Sequence, residues 1–272
     1  MTKLAFIGAG NMNGAIISGL VSKGFSPENI IVANPSAPKR ESLSQQYGIL
    51  HTHSNIEAVN FADFIVLGVK PHLIAQVCQD IAENTSIENK CFVSVAAGCT
   101  INQIQIALNG KCPVIRVMPN TPSQIGLGVS GLFASAEVSD EQKKQTTQLM
   151  ESVGIVKWLE NESEIDHIIA VSGSAPAYFF LFMEAIQNKA IALGFSESES
   201  RELVQQTALG AAQMVVENNN LPISKLRENV TSKGGTTQAA LNTFIEGGLE
   251  QLVTNAMDSA LHRAKEMAQN SQ

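Results

Sequence analysis

Short, unbroken apolar runs recur through the first half of the chain. Residues 3–7 (KLAFI), 30–33 (IIVA), 64–68 (FIVLG), 92–95 (FVSV) and 114–117 (VIRV) are rich in β-branched and aromatic side chains, and each is too short for a helix. Helix-length stretches separate most of them, and the first of these, 12–23, follows directly on a Gly8-Ala9-Gly10-Asn11 turn. Continuous apolar strands alternating with helices predict a parallel sheet covered on both faces. Residues 129–134 and 155–159 extend the sheet, with a helix over about 139–152 between them.

Beyond about residue 160 the period changes. Residues 172–193, 196–218, 236–246 and 249–269 carry helical spacing, and no convincing strand appears. Gly194 followed by Phe195-Ser196 reads as a helix stop and a new N-cap. The expected fold class is therefore α/β, a doubly wound sheet over 1–160 followed by an all-α domain over 161–272. Small residues crowd the helical half: Ala208, Gly210, Ala211, Ala212, Ala239, Ala240, Ala256 and Ala260. They let helices approach closely, and a helical domain of this size has a modest core of its own, so a homodimer is expected over a purely internal bundle.

Composition narrows the class. With 44% hydrophobic and 16% charged residues, the chain of 272 is of the globular type. The net charge of −7 argues against nucleic acid, which requires a cationic face. Any anionic ligand must be held by local donors, because the overall field repels it. The chain runs from Met1 straight into a strand without a leader, and no apolar run approaches the ~20 residues of a membrane helix. A cytoplasmic protein with no membrane partner is expected. Cys78, Cys91, Cys99 and Cys112 lack CxxC spacing and read as small buried hydrophobes. The five histidines are scattered, so no metal site is expected.

The most informative local feature is the first turn. A strand, then Gly8-x-Gly10, then a helix is the context in which glycines cradle a pyrophosphate. Gly8 makes the tight turn, Gly10 admits the phosphates, and the helix N-terminus offers free N–H groups and the positive end of its dipole. The third glycine position is off pattern, since Asn13 stands there and Gly14 follows. At the end of the second strand, where NAD enzymes usually place a carboxylate, the chain reads Ala33-Asn34-Pro35-Ser36, then Lys39-Arg40. Asn34, Ser36, Lys39 and Arg40 could donate to a 2′-phosphate. NADPH is the expected cofactor, with NADH the weaker alternative.

Further loops fall after predicted strands: Val69-Lys70-Pro71, Ala96-Ala97-Gly98 and Met118-Pro119-Asn120-Thr121-Pro122. The helical half adds Ser172-Gly173-Ser174-Ala175-Pro176-Ala177-Tyr178 and Ser232-Lys233-Gly234-Gly235-Thr236-Thr237. In this order, and essentially end to end, they resemble the Δ1-pyrroline-5-carboxylate reductases of proline biosynthesis. The resemblance implies NAD(P)H-dependent reduction of the cyclic imine to L-proline. It implies a Rossmann-like domain followed by a helical dimerisation domain, the active site where they meet, and dimers that assemble into rings such as decamers. Carried over by position, Ile7, Gly8, Ala9, Gly10, Asn11 and Met12 meet the pyrophosphate, and Asn34, Ser36 and Asn55 the adenosine end. Val69, Lys70, Pro71, Ala96, Ala97, Gly98 and Asn120 complete the cofactor site. Ser174, Ser232, Gly234, Gly235, Thr236 and Thr237 bind substrate, with the Thr237 hydroxyl catalytic near the ring nitrogen. The family commonly has Pro where this chain has Lys233, either a solvent-facing substitution or an added charge near the substrate carboxylate.

The residue types suit that chemistry. A Gly-Gly-Thr-Thr turn opening a helix offers N–H groups and hydroxyls to a carboxylate. Hydride transfer to an imine carbon needs its nitrogen protonated or hydrogen-bonded, and a hydroxyl suffices when an iminium arrives already protonated. Two alternatives stay open: another imine or β-hydroxy-acid reductase of the same plan, and a non-catalytic NADP sensor. The β-hydroxy-acid enzymes would need a Lys early on the long helix, and Lys189 lies far along it.

Overall fold

The computed structural model describes residues 2–270. In chain order its first part runs β1 (Leu4–Ile7), α1 (Asn11–Ser22), β2 (Ile30–Ala33), α2 (Ala37–Tyr47), β3 (Leu50–Thr52), α3 (Asn55–Phe61) and β4 (Phe64–Leu67). It continues with α4 (Ile74–Asn84), β5 (Cys91–Ser94), α5 (Ile101–Ala107), β6 (Val114–Met118), β7 (Gly128–Ala134), α6 (Asp140–Glu151), β8 (Gly154–Trp158) and α7 (Glu164–Ile168). The strands form one sheet in the order β3-β2-β1-β4-β5-β6-β7-β8.

The apolar strands are continuous because each is buried on both faces. Ala5, Ile7, Ile65, Leu67 and Phe92 face one core with Ala58, Val59, Cys78, Ile81 and Ile104 of α3 to α5. Leu4, Phe6, Val66, Cys91 and Val93 face the other, with Ile16, Ile17 and Leu20 of α1 and Leu149 and Met150 of α6. Alternate residues of one strand thus serve opposite layers, as a doubly wound sheet requires. Strand order reverses between β1 and β4, which opens a crevice at their carboxyl ends.

Three features depart from the sequence expectation. β3 was not expected, because only one of its three residues, Thr52, is buried and it carries no apolar run. β7 runs antiparallel to β6; residues 119–127 between them are fewer than the dozen or so a parallel crossover needs. The long helix predicted from 172 begins as a π-helix over Ile169–Gly173, which continues from α7. Taken together, Glu164–Ala192 is 29 residues, long and apolar enough by length and composition to cross a membrane. The expectation that no segment approaches that length counted unbroken apolar runs, whereas Ala, Gly and Ser interleave here among Ile, Val, Leu and Phe.

The chain separates into two compact units: residues through Ser174 together with those from Ala260 onward, and Ala175–Ser259. The sequence-based boundary at 160/161 falls just before α7. The second unit contains α8 (Ala175–Ala192), α9 (Glu197–Glu217), α10 (Ile223–Asn229), α11 (Thr236–Glu246) and the first part of α12 (Leu249–Asn270). α8 packs on α9, and Ser196 starts α9 with a capping box completed by Glu199. No residue of α8 is buried, and Phe179, Phe180 and Leu181 are each more than 60% exposed.

Candidate active site

The crevice at the β1–β4 switch is built from backbone. Gly8 has φ +99, a conformation that disfavours any side chain, and a Cβ there would stand 2.9 Å from the Gly68 carbonyl oxygen. Its N–H donates to Ala33 O at 2.8 Å, which ties the turn to β2. Gly10 caps α1 with no side chain bonded to the free N–H groups of the first turn, and that turn carries no acidic residue. Asn11 and Met12 open the helix; Asn11 is exposed and Met12 half-buried. Ile7 is a core side chain, completely buried, and its carbonyl is engaged by the N–H of Gly68 and the amide of Asn13.

Asn13 explains its own departure from the glycine pattern. Its side chain is buried, and its Nδ2 donates to Gly8 O at 2.7 Å and Ile7 O at 3.3 Å. Room for it comes from Gly68, where a Cβ would lie closer to the Asn13 carboxamide than the 3.0 Å that real Cβ atoms respect. The bulk normally absent from the helix is absent from β4's end instead.

Of the expected adenosine-end residues, Ser36 is exposed and caps α2 without using its hydroxyl, and no acidic residue lies in the first turn. Lys39 is also exposed. Asn55 begins α3, whose cap bond comes from Ser54. Arg40 is half-buried, and its Nη1 donates to Asn34 O at 3.0 Å and Pro35 O at 3.1 Å. Asn34 is itself engaged, accepting from the Ala9 N–H at 3.2 Å and donating to Ser36 O at 3.2 Å.

Val69-Lys70-Pro71 follows β4, and Lys70 is exposed at the start of a 3-10 turn over Pro71–Leu73. Ala96-Ala97-Gly98 follows β5, with Gly98 at φ +77. The Cys99 thiol donates to Pro71 O at 3.6 Å and links the two loops. Burial raises the Cys99 pKa, and the nearby Arg116 guanidinium opposes that rise. Asn120 is buried with both ends of its amide engaged, donating to Ser172 O at 3.1 Å and accepting from Val129 N at 2.9 Å. It thus secures the π-helix, and its side chain reaches backbone, not open space. Arg116 meets Glu162 at 2.8 Å, and the same carboxylate oxygen accepts the Ile101 N–H at 2.8 Å, fastening the residues before α7 to β6 and α5. Neither contact was legible in the sequence, because partners so far apart carry no local signature.

Ser174 ends the first unit at the exit of the π-helix, its N–H donating to Ile169 O at 2.8 Å. The other substrate candidates lie in the second unit, at the start of α11. Gly234 has φ +73, and a Cβ on Gly235 would press on the Ser232 hydroxyl at 2.5 Å. The Gly235 N–H donates to Ser232 O at 3.0 Å, and the Gly234 N–H donates to Gln238 Oε1 at 2.6 Å. Both glycine N–H groups expected to hold the carboxylate are therefore already paired. The open donors are the first-turn N–H groups of Thr236 and Thr237 and their exposed hydroxyls. Gln238 was missed; a Gln three residues past the cap is the sequence signal that finds it. Among the described residues no group of three or more His, Cys, Asp or Glu is placed to hold a metal.

A doubly wound sheet with a glycine turn at its switch point defines a dinucleotide-binding protein of the α/β class. Residues 3–98 match the family described as NADP oxidoreductase, coenzyme F420-dependent, and residues 162–267 match pyrroline-5-carboxylate reductase dimerisation. The chain is 52% identical over 265 residues to the pyrroline-5-carboxylate reductase of Vibrio alginolyticus, covering 97% of each. Among solved structures, the Coxiella burnetii pyrroline-5-carboxylate reductase is similar at 39% identity and TM-score 0.93, over 98% of both chains. The Plasmodium falciparum pyrroline carboxylate reductase with NADP bound is similar at 28% and 0.87, also over 98% of both. The chain belongs to the pyrroline-5-carboxylate reductase family.

Proposed function

We propose that this protein reduces Δ1-pyrroline-5-carboxylate to L-proline with NADPH, the last step of proline biosynthesis. The observation that carries the reading is that the chain contains two helix starts with free N–H groups, one in each unit. One is a glycine turn with uncapped helix N–H groups at the sheet's switch point; the other is an uncapped Thr236-Thr237 helix start. The first suits a pyrophosphate and the second a small carboxylate. NADPH, when bound, supplies the hydride. The chain's part is to orient and to stabilise charge. Thr236 and Thr237 hold the carboxylate by N–H and hydroxyl, with Ser232 beside it. The Thr237 hydroxyl hydrogen-bonds the ring nitrogen, so that the iminium form is held and its charge is neutralised as the imine carbon accepts hydride.

Cofactor roles follow the same division. The Gly8 to Met12 turn takes the pyrophosphate through the N–H groups that open α1, Ser36 and Lys39 take the 2′-phosphate, Asn55 the ribose, and residues 69–71 and 96–98 the nicotinamide half. NADH serves less well, because the β2 end lacks the carboxylate that bonds a free 2′-hydroxyl. The nucleotide-binding part extends over 1–160 and the substrate and dimerisation part over 161–272. The exposed phenylalanines of α8 favour a homodimer; assembly of dimers into rings and a cytoplasmic setting complete the proposal. The test is NADPH oxidation by purified protein with and without the cyclic imine, with proline measured as product. Tight NADPH binding without turnover would make the protein a sensor instead.

A further inference from the structure

Asn34 stands where dinucleotide enzymes recognise the adenosine ribose, yet its backbone N–H, its carbonyl and both ends of its side-chain amide each already meet the protein itself. Its N–H donates to Thr52 O at 3.2 Å, and its carbonyl accepts from Arg40. Its Oδ1 accepts the Ala9 N–H, and its Nδ2 donates to Ser36 O. The Ala9 N–H belongs to the peptide whose carbonyl, that of Gly8, accepts from Asn13 at 2.7 Å. One peptide plane in the pyrophosphate turn is therefore held at both ends by asparagine side chains, one from β2's end and one from α1.

We propose that Asn34 and Asn13 are positioning residues that preset this turn, and that Asn34 does not bind the adenosine end of the cofactor. The inference rests on the dinucleotide reading of the site. A free Gly8–Ala9 peptide could rotate, because Gly8 has no side chain to restrict it. Rotation would turn the Gly8 carbonyl, a negative dipole end, toward the phosphates. With the carbonyl held by Asn13 and the N–H by Asn34, the pyrophosphate meets only the N–H groups that open α1. The ordering is done before the cofactor arrives, so binding does not have to supply it. The 2′-phosphate is left to the exposed side chains of Ser36 and Lys39.

The two roles for Asn34 differ in what they predict for two cofactors. The pyrophosphate is common to NADPH and NADH, whereas the 2′-phosphate is not. Dissociation constants for both are measured on the full-length apoenzyme from the fluorescence of the reduced nicotinamide. Asn34→Ala is expected to weaken both by the same factor, about tenfold, as loss of one hydrogen bond does. The melting temperature of the free protein should stay near wild type. Asn34→Asp keeps the oxygen that accepts from Ala9, and its NADH affinity is expected to be no more than about twofold weaker than wild type. Weakening of NADPH alone in Asn34→Ala would make Asn34 a 2′-phosphate ligand and overturn the proposal. So would unchanged affinity for both, or an Asn34→Asp variant as weak toward NADH as Asn34→Ala. If the wild-type protein bound neither cofactor, the dinucleotide reading itself would fall, an outcome distinct from these.

Discussion

Gly68→Ala adds one methyl group at the point where β4's end meets α1. Gly68 has no left-handed φ, so the backbone accepts alanine and only space opposes it. That space is filled by the Asn13 carboxamide, which is buried and held by two carbonyls. A Cβ inside 3.0 Å of it forces either the amide off its partners or the helix off the sheet. Overpacking of this kind costs about 1–3 kcal/mol. Asn13→Ala alone costs a similar ~1–3 kcal/mol, by leaving the buried Gly8 carbonyl without a donor. In the double variant the new methyl enters the volume Asn13 has vacated, so the cost of Gly68→Ala falls to near zero. The coupling is then about 1–3 kcal/mol, well beyond the ~0.5 kcal/mol scatter of independent sites. Urea unfolding followed by Trp158, the single tryptophan, reports on the unit that contains both residues. Additive costs within ~0.5 kcal/mol would refute the packing account of why Asn13 replaces the third glycine.

Three further outcomes are expected. Thr237→Ala should lower kcat about tenfold to a hundredfold, the loss of a hydrogen bond to a charged group, while the NADPH dissociation constant stays unchanged; unaltered kcat would remove Thr237 from the site. Lys233 is exposed, so Lys233→Pro should raise KM for the imine by no more than about fivefold and speed product release; an unchanged KM would mean its charge never senses the carboxylate. Burial pushes the thiols of Cys78 and Cys91 up to about 12 and that of Cys112 to about 11, from 9.0. Because the folded state favours the neutral thiols, their contribution is intact below pH 9.0 and is lost as pH rises toward those values. Cys78→Ala/Cys91→Ala should flatten the fall of the urea midpoint above pH 9.0, and native protein at neutral pH should resist maleimide labelling.

What could be read along the chain is what depends on near neighbours. The runs KLAFI, IIVA and FIVLG became β1, β2 and β4 because strands buried on both faces cannot alternate with polar residues. Gly8 and Gly10 announced a turn that only small residues can make, and the missing carboxylate after β2 set the cofactor preference. The Gly234-Gly235-Thr236-Thr237 segment marked a helix start suited to an anion. Tertiary structure decided which of those groups remain available. Within that segment the choice is still local, since the Gly234 and Gly235 N–H groups are claimed by the near neighbours Gln238 and Ser232; the long-range choices are of another kind. Asn34 is claimed by Ala9, 25 residues away, and Asn13 fits because the fold sets Gly68, just past β4, against it. Asn120 is drawn inward by the carbonyl of Ser172, 52 residues on, in a π-helix that no periodicity foretold. Backbone conformation follows from local sterics and period. The choice of hydrogen-bond partner follows from which elements the fold brings within 3 Å or so, and that is a property of the whole chain.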